Sequence, residues 1–93
     1  MIPEKIVKRI ERVFKGAANH NRIKILDFIA TQNKTTLWQI SQRLKLKFRN
    51  VSQHTDRLVK AGLIRKQPAG RQVWHFLTPY GRKVYEFMKT LKL

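Results

Sequence analysis

The sequence predicts a mainly α-helical fold with one small β-hairpin, in the order helix, helix, helix, helix, strand, strand, helix. Three observations predict it. Apolar residues recur at helical spacing through four successive segments and again near the end of the chain. Two short strand-like stretches, Leu63–Gln67 and Gln72–Leu77, flank Pro68-Ala69-Gly70-Arg71, whose composition is that of a turn. Polar N-caps and glycine stops fall at the joints between elements.

The first helix spans about Pro3 to Lys15, with Ile6, Ile10, Val13 and Phe14 at helical spacing, Ile2 one turn earlier, and Gly16 as its stop. The second spans about Asn19 to Thr31. Ile23, Ile25, Leu26, Phe28 and Ile29 cover so much of its surface that it should be the central, buried helix. Gln32 to Lys34 form a polar break. Thr36 to Leu44 is a short helix opened by a capping box, Thr36 with Gln39 three residues on. Phe48 to Ala61 is the fourth helix, with Val51, Thr55, Leu58 and Val59 facing the core and Gly62 as its stop. Leu63–Gln67 and Gln72–Leu77 read as strands around the turn. Thr78 then caps a last helix with Pro79 at its first position and Tyr80, Val84, Phe87 and Leu91 as its stripe. A short helix, a tight turn, a second helix and a hairpin with a basic tip is the order of a winged helix-turn-helix. Ninety-three residues hold one such core, so residues 1–93 are expected to be a single domain.

Charge narrows the function. Twenty-one Lys and Arg face five acids, for a formal net charge of +16. The cations run from Lys5 to Lys92, so the folded domain itself carries the field. Such a chain repels itself and calls for an anionic partner, nucleic acid first and a membrane surface second. No apolar run approaches the ~20 residues of a spanning helix, and Met1 to Val13 alternates charge with Ile and Val, unlike a signal peptide. A cytoplasmic, nucleoid-associated protein is expected. The acids are Glu4, Glu11, Asp27, Asp56 and Glu86, with no pair at catalytic spacing and no phosphate-cradling glycine loop, so no enzyme is expected. Cysteine is absent, and His20, His54 and His75 are scattered, so neither a metal nor a cofactor is expected.

Three segments resemble the ArsR-type (arsenic-repressor-like) winged-helix regulators. Gly16-Ala17-Ala18-Asn19-His20-Asn21-Arg22-Ile23 is similar to the entry into that family's second helix. Val51-Ser52-Gln53-His54 with Leu58 and Ala61-Gly62-Leu63-Ile64 is similar to its recognition helix, and Gly70-Arg71-Gln72-Val73-Trp74 to its wing. Thr78-Pro79-Tyr80-Gly81-Arg82 is also similar to the segment after the wing in MarR-type regulators. Against the ArsR pattern, Lys45 replaces the usual turn glycine, Lys47 the usual small polar opener, and Thr55 a core leucine. The family's thiolate metal motif would fall near Leu37 to Ser41, where no cysteine stands.

The resemblance implies a double-stranded DNA partner, and the fourth helix is long enough to enter a major groove, at ~20 Å. Its polar side supplies the expected base contacts, Arg49, Asn50, Ser52 and Gln53. Arg suits guanine, and Asn or Gln suits adenine. Thr36, Arg43, Lys45, Lys47, His54, Arg57, Arg65, Lys66, Arg71 and Gln72 are expected to meet the DNA backbone from around the helix-turn-helix and wing. Arg22 either reaches a phosphate or caps locally. Phe48 belongs either to the core or on a thymine methyl, and Trp38, Trp74 and Phe76 either pack against neighbours or stack on bases. Ile6, Ile10, Val13, Phe14, Val84, Phe87, Met88 and Leu91 are expected to form a homodimer interface, because one small core cannot cover both outer helices; Ile2 and Tyr85 extend the same stripes. The function these expectations imply is a sequence-specific transcriptional regulator, foremost a repressor, on an inverted-repeat site. The alternative is an architectural DNA-binding protein with little sequence preference.

Overall fold

The computed structural model describes residues 1–32 and 34–93; Asn33, in the polar break, lies outside the described residues. The elements are α1 (Glu4–Ala17), α2 (His20–Thr31), α3 (Leu37–Leu44), α4 (Phe48–Lys60), β1 (Ile64–Ala69), β2 (Gln72–Leu77) and α5 (Pro79–Lys89). The predicted order is observed without exception.

Short-range chemistry sets where the helices start. Asn19 Oδ1 accepts from the backbone N–H of Asn21 (2.9 Å) and Arg22 (3.2 Å) at the head of α2. At α3 both halves of the capping box form: Thr36 Oγ1 accepts from Gln39 N at 3.2 Å, and Gln39 Oε1 accepts from Thr36 N at 3.1 Å. Thr78 Oγ1 accepts from Gly81 N at 2.8 Å and donates to the Gly62 carbonyl at 2.7 Å. One hydroxyl thus caps α5 and ties it to the end of α4.

The turn between α3 and α4 is held from behind. Ser41 Oγ donates to the Leu46 carbonyl at 2.6 Å, and Leu46 N donates back to the Ser41 carbonyl at 3.1 Å. Lys45 takes the left-handed conformation, φ 55°. A side chain there costs ~1–2 kcal/mol relative to glycine, which this chain accepts in return for a cation on the turn.

The core gathers Ile25, Leu26 and Ile29 of α2, Ile40 of α3, Val51 and Leu58 of α4, with Leu63 and Ile64 sealing the hairpin side. The two strands pair antiparallel from Ile64↔Leu77 to Ala69↔Gln72. Thr35 adds an isolated bridge to His75, whose N–H donates to the Thr35 carbonyl at 2.8 Å. The wing is thereby fastened to the start of α3.

Several expectations change. Gly16 does not stop α1; it sits inside the helix against α4, where an added Cβ would overlap the Ala61 methyl. Pro68 and Ala69 belong to β1, leaving Gly70 (φ 64°) and Arg71 as the turn. Each strand of a two-stranded sheet has one unpaired edge, so a proline's missing N–H can face outward there without losing a ladder bond. Ile23 is 43% exposed, because it lies ~200° around α2 from Ile25. Val59 is 37% exposed, ~100° to the side of Leu58, so α4 packs through Val51, Thr55 and Leu58 alone. Tyr85 and Val13 are buried in the protein's own fold, and Val84 and Met88 lean on the same core. Tyr85 Oη donates to Asp27 Oδ1 at 2.6 Å, which locks α5 onto α2.

Candidate nucleic-acid interface

The buried face of α4 dictates what its other face offers. With Val51, Thr55 and Leu58 fixed inward, Arg49, Asn50 and Gln53 are exposed and Ser52 is half-buried, all within the first turn and a half. Thr55 fills the leucine position without an orphaned polar group, because its hydroxyl donates to the Ser52 carbonyl at 3.0 Å.

Around this helix the cations divide into free and engaged. Arg71 and Gln72 stand exposed at the hairpin turn, and Lys45, Lys47 and Arg57 are exposed beside α4. Arg43 lies 5.7 Å from the Phe28 ring centre, and Arg65 lies 4.6 Å over Phe76 while donating to Gln67 Oε1 at 3.2 Å. Lys66 is tied down: its Nζ donates to Asp56 Oδ1 at 2.8 Å, and that bond and charge hold the Asp56 carboxyl below its ordinary pKa. An acid on the exposed side of α4 is thus neutralised by the strand beside it. Sequence reasoning missed this pair, which joins residues ten apart across a turn. The Thr36 hydroxyl is engaged as the cap of α3.

Arg22 resolves toward the local role. Its Nε donates to the Gly16 carbonyl at 2.6 Å and Nη2 to the Lys15 carbonyl at 3.4 Å, capping the end of α1, while Nη1 lies 3.3 Å from His54 Nδ1. Burial, then Arg22, Arg57 and His20, push the His54 pKa down. A neutral His54 accepts from Arg22 through Nδ1 and keeps Nε2–H as a donor on the side of α4. His75 is buried, and burial pushes its pKa down against the opposing bond to the Thr35 carbonyl (Nδ1···O 3.1 Å). Its Nε2 has no hydrogen-bond partner among the described residues.

The aromatic residues do not share one fate. Trp74 is half-buried with Lys34 Nζ 4.6 Å from its ring centre, and Phe76 is half-buried beneath Arg65. Trp38 and Phe48 are 63% and 51% exposed, so neither is core. Both line a cleft of about 530 Å³ that runs between the start of α3, the start of α4 and the wing. On α1, on α5 and just beyond it, Ile6, Phe14, Phe87 and Leu91 are exposed. Ile10, Phe14, Tyr80 and Phe87 there line an apolar groove of about 300 Å³.

Among the described residues no three His, Cys, Asp or Glu side chains gather where a metal could bind. No helix is long and apolar enough to cross a membrane.

Comparison with known proteins fits this geometry. The fold superposes on HlyU from Vibrio cholerae with a TM-score of 0.84 and 25% identity, covering 95% of this chain and 96% of that one. It also superposes on the homodimeric winged helix-turn-helix DNA-binding domain of Mb0332 from Mycobacterium bovis, a possible ArsR-family transcriptional regulator. There the TM-score is 0.85, the identity 20%, and the coverage 92% and 80%. The transcriptional repressor PagR of Bacillus anthracis gives a TM-score of 0.82 at 20% identity over 92% and 99%. Comparison with curated protein sequences finds no match. The MarR family model matches residues 18–70, from the cap of α2 to the hairpin turn. With a winged helix-turn-helix fold and a family match over more than half of its residues, the chain belongs to the MarR family.

Proposed function

We propose that this protein is a sequence-specific transcriptional regulator, a repressor, that binds an inverted-repeat duplex as a homodimer. The observation that carries this reading is the exposed Arg49, Asn50 and Gln53 at the head of a helix whose opposite face is locked into the core. Side chains able to read guanine and adenine are what a protein that merely coats DNA does not need there. The homodimeric state of the Mb0332 domain supports a homodimer, and the exposed Ile6 and Phe14 of α1, Phe87 of α5 and Leu91 just beyond it, with Ile10 at their edge, support pairing through these helices. A two-fold axis between these helices spaces the two α4 helices ~34 Å apart, one turn of DNA. Arg71 and Gln72 grip the backbone or minor groove from the wing, and Lys45, Lys47, Arg43 and Arg57 hold flanking phosphates. Residues 1–93 act as one binding domain in the cytoplasm, on the nucleoid, as a binding protein and not an enzyme, without a metal.

One observation favours the architectural alternative. Only four of the twenty-one cations, Lys15, Lys66, Arg82 and Lys89, meet a carboxylate among the described residues, so most of the positive charge has no ion-pair partner there. Selection from a fully randomised duplex pool at about 150 mM salt separates the two readings. Recovery of an inverted repeat with half-sites about one turn apart supports the regulator. Strong binding with a pool that stays random supports the architectural protein.

A further inference from the structure

The cleft between α3, α4 and the wing has a composition unlike the rest of the basic surface. Three exposed apolar side chains line it, Trp38, Phe48 and Val73 at 63%, 51% and 40% exposure, beside the polar Gln39 and Gln72 and the buried His75. Its rim is polar, with Arg71 at the wing tip and Thr36 at the cap of α3. The first turn of α3 adds backbone N–H groups and the positive end of its dipole. Large exposed apolar side chains are costly on a surface that faces water and phosphate, and grouping three of them marks a contact surface.

The double helix says what passes there. When α4 lies in a major groove and the wing reaches the adjacent minor groove, a single sugar–phosphate strand separates the two. That strand has to run between recognition helix and wing, which is the position of this cleft. Its chemistry alternates in the same way as the lining: phosphates are anionic, and the deoxyribose between them presents C–H faces.

Building on the DNA-binding reading above, we infer that this cleft seats the deoxyribose–phosphate strand separating the two grooves. Trp38, Phe48 and Val73 pack on the sugar carbons, while Arg71 and the first turn of α3 hold the neighbouring phosphates. These three apolar side chains act as a ruler for backbone position and fix how far α4 enters the groove. It adds affinity that does not depend on salt, alongside an electrostatic part that does.

The experiment is a salt titration of binding to one mixed-sequence duplex of about 30 base pairs, comparing wild type with Trp38→Ala, Phe48→Ala, Trp38→Phe and Arg71→Gln. Loss of an apolar contact releases no counterion. Trp38→Ala and Phe48→Ala are therefore expected to weaken binding about five- to tenfold at every salt concentration, with the log–log slope unchanged. Trp38→Phe is expected to recover most of the loss, and Arg71→Gln to reduce the slope by about one. Both aromatic residues are largely exposed, so the variants are expected to keep the wild-type thermal midpoint. Unchanged affinity in both alanine variants would overturn the inference, as would a slope change matching that of Arg71→Gln. If the Phe48→Ala loss vanishes on a duplex with uracil in place of thymine, the contact is to a base methyl and the sugar assignment fails. No duplex binding by the wild type defeats the DNA-binding reading itself, a result distinct from the others.

Discussion

Asn50 and Gln53 occupy the part of α4 where side-chain identity matters most and packing matters least. Both are exposed, and neither side-chain amide holds a hydrogen bond to the folded chain among the described residues, so both are available to a base edge. Asn50→Ala and Gln53→Ala are each expected to cost about 1–3 kcal/mol of discrimination at one base position while leaving the salt slope intact, as measured by competition between single-base variants of the selected site. A different logic governs the histidines. Burial pushes His75 down, and burial with three neighbouring bases pushes His54 down. Between those lowered values and the ordinary value near 6.5, the unfolded chain binds more protons than the folded one. Their contribution to stability is therefore complete above about pH 6.5 and declines as pH falls through the folded values. Thermal denaturation is expected to show a lower midpoint at about pH 5 than at pH 7.5. His75→Gln is expected to narrow that difference, and a midpoint independent of pH across this range would contradict the assignment. Asp56 does not confuse the reading, because its lowered carboxyl titrates below that window.

The elements differ in how much of them could be read in advance. The caps at Thr36 and Thr78 were legible because donor and acceptor lie within three residues of each other, whereas Asn19, read as the first residue of its helix, is the cap of α2. Gly16 was not legible, because a glycine that ends a helix and a glycine that lets two helices touch look alike until the partner, Ala61, is known. Pro68 and Ala69 were assigned to the turn by composition, yet the ladder runs on through them to the Gly70-Arg71 turn. The same distinction gives two stability predictions. At Gly81, in the first turn of α5, an added Cβ would overlap the Leu63 carbonyl oxygen. Gly81→Ala is therefore expected to destabilise by about 1–3 kcal/mol in chemical denaturation, through displacement of α5. Lys45→Gly is expected to stabilise by about 1 kcal/mol by relieving the left-handed conformation, while weakening DNA binding through the lost cation. A stabilised variant with undiminished affinity would remove Lys45 from the interface.

At the scale of the molecule, charge, fold order and family resemblance were all legible in the sequence, because each is carried by composition or by order along the chain. The candidate site was legible as a set of residues and not as an arrangement. The polar face of α4 followed from its period. The engagement of Lys66 by Asp56, of Arg22 by the end of α1, and the meeting of Trp38, Phe48 and the wing each required the tertiary fold. Val13 and Tyr85 looked like interface residues for the same reason, since periodicity marks an apolar face without saying what covers it. The remaining exposed stripe gives the assembly prediction. Phe14→Asp with Phe87→Asp is expected to yield a monomer by sedimentation, with a thermal midpoint that no longer rises with protein concentration. A double variant that remains dimeric would place the interface elsewhere.

Reading of sequence through α4 is what separates a regulator from a protein that only coats DNA. The most direct test is the ratio of affinities for the selected inverted repeat and a scrambled duplex, at about 150 mM salt, for wild type and the Asn50→Ala/Gln53→Ala variant. The expected result is a wild-type ratio of ~10³ or more that collapses in the variant, while the salt slope of non-specific binding is retained. A wild-type ratio near one, or a large ratio that survives the double substitution, would contradict it.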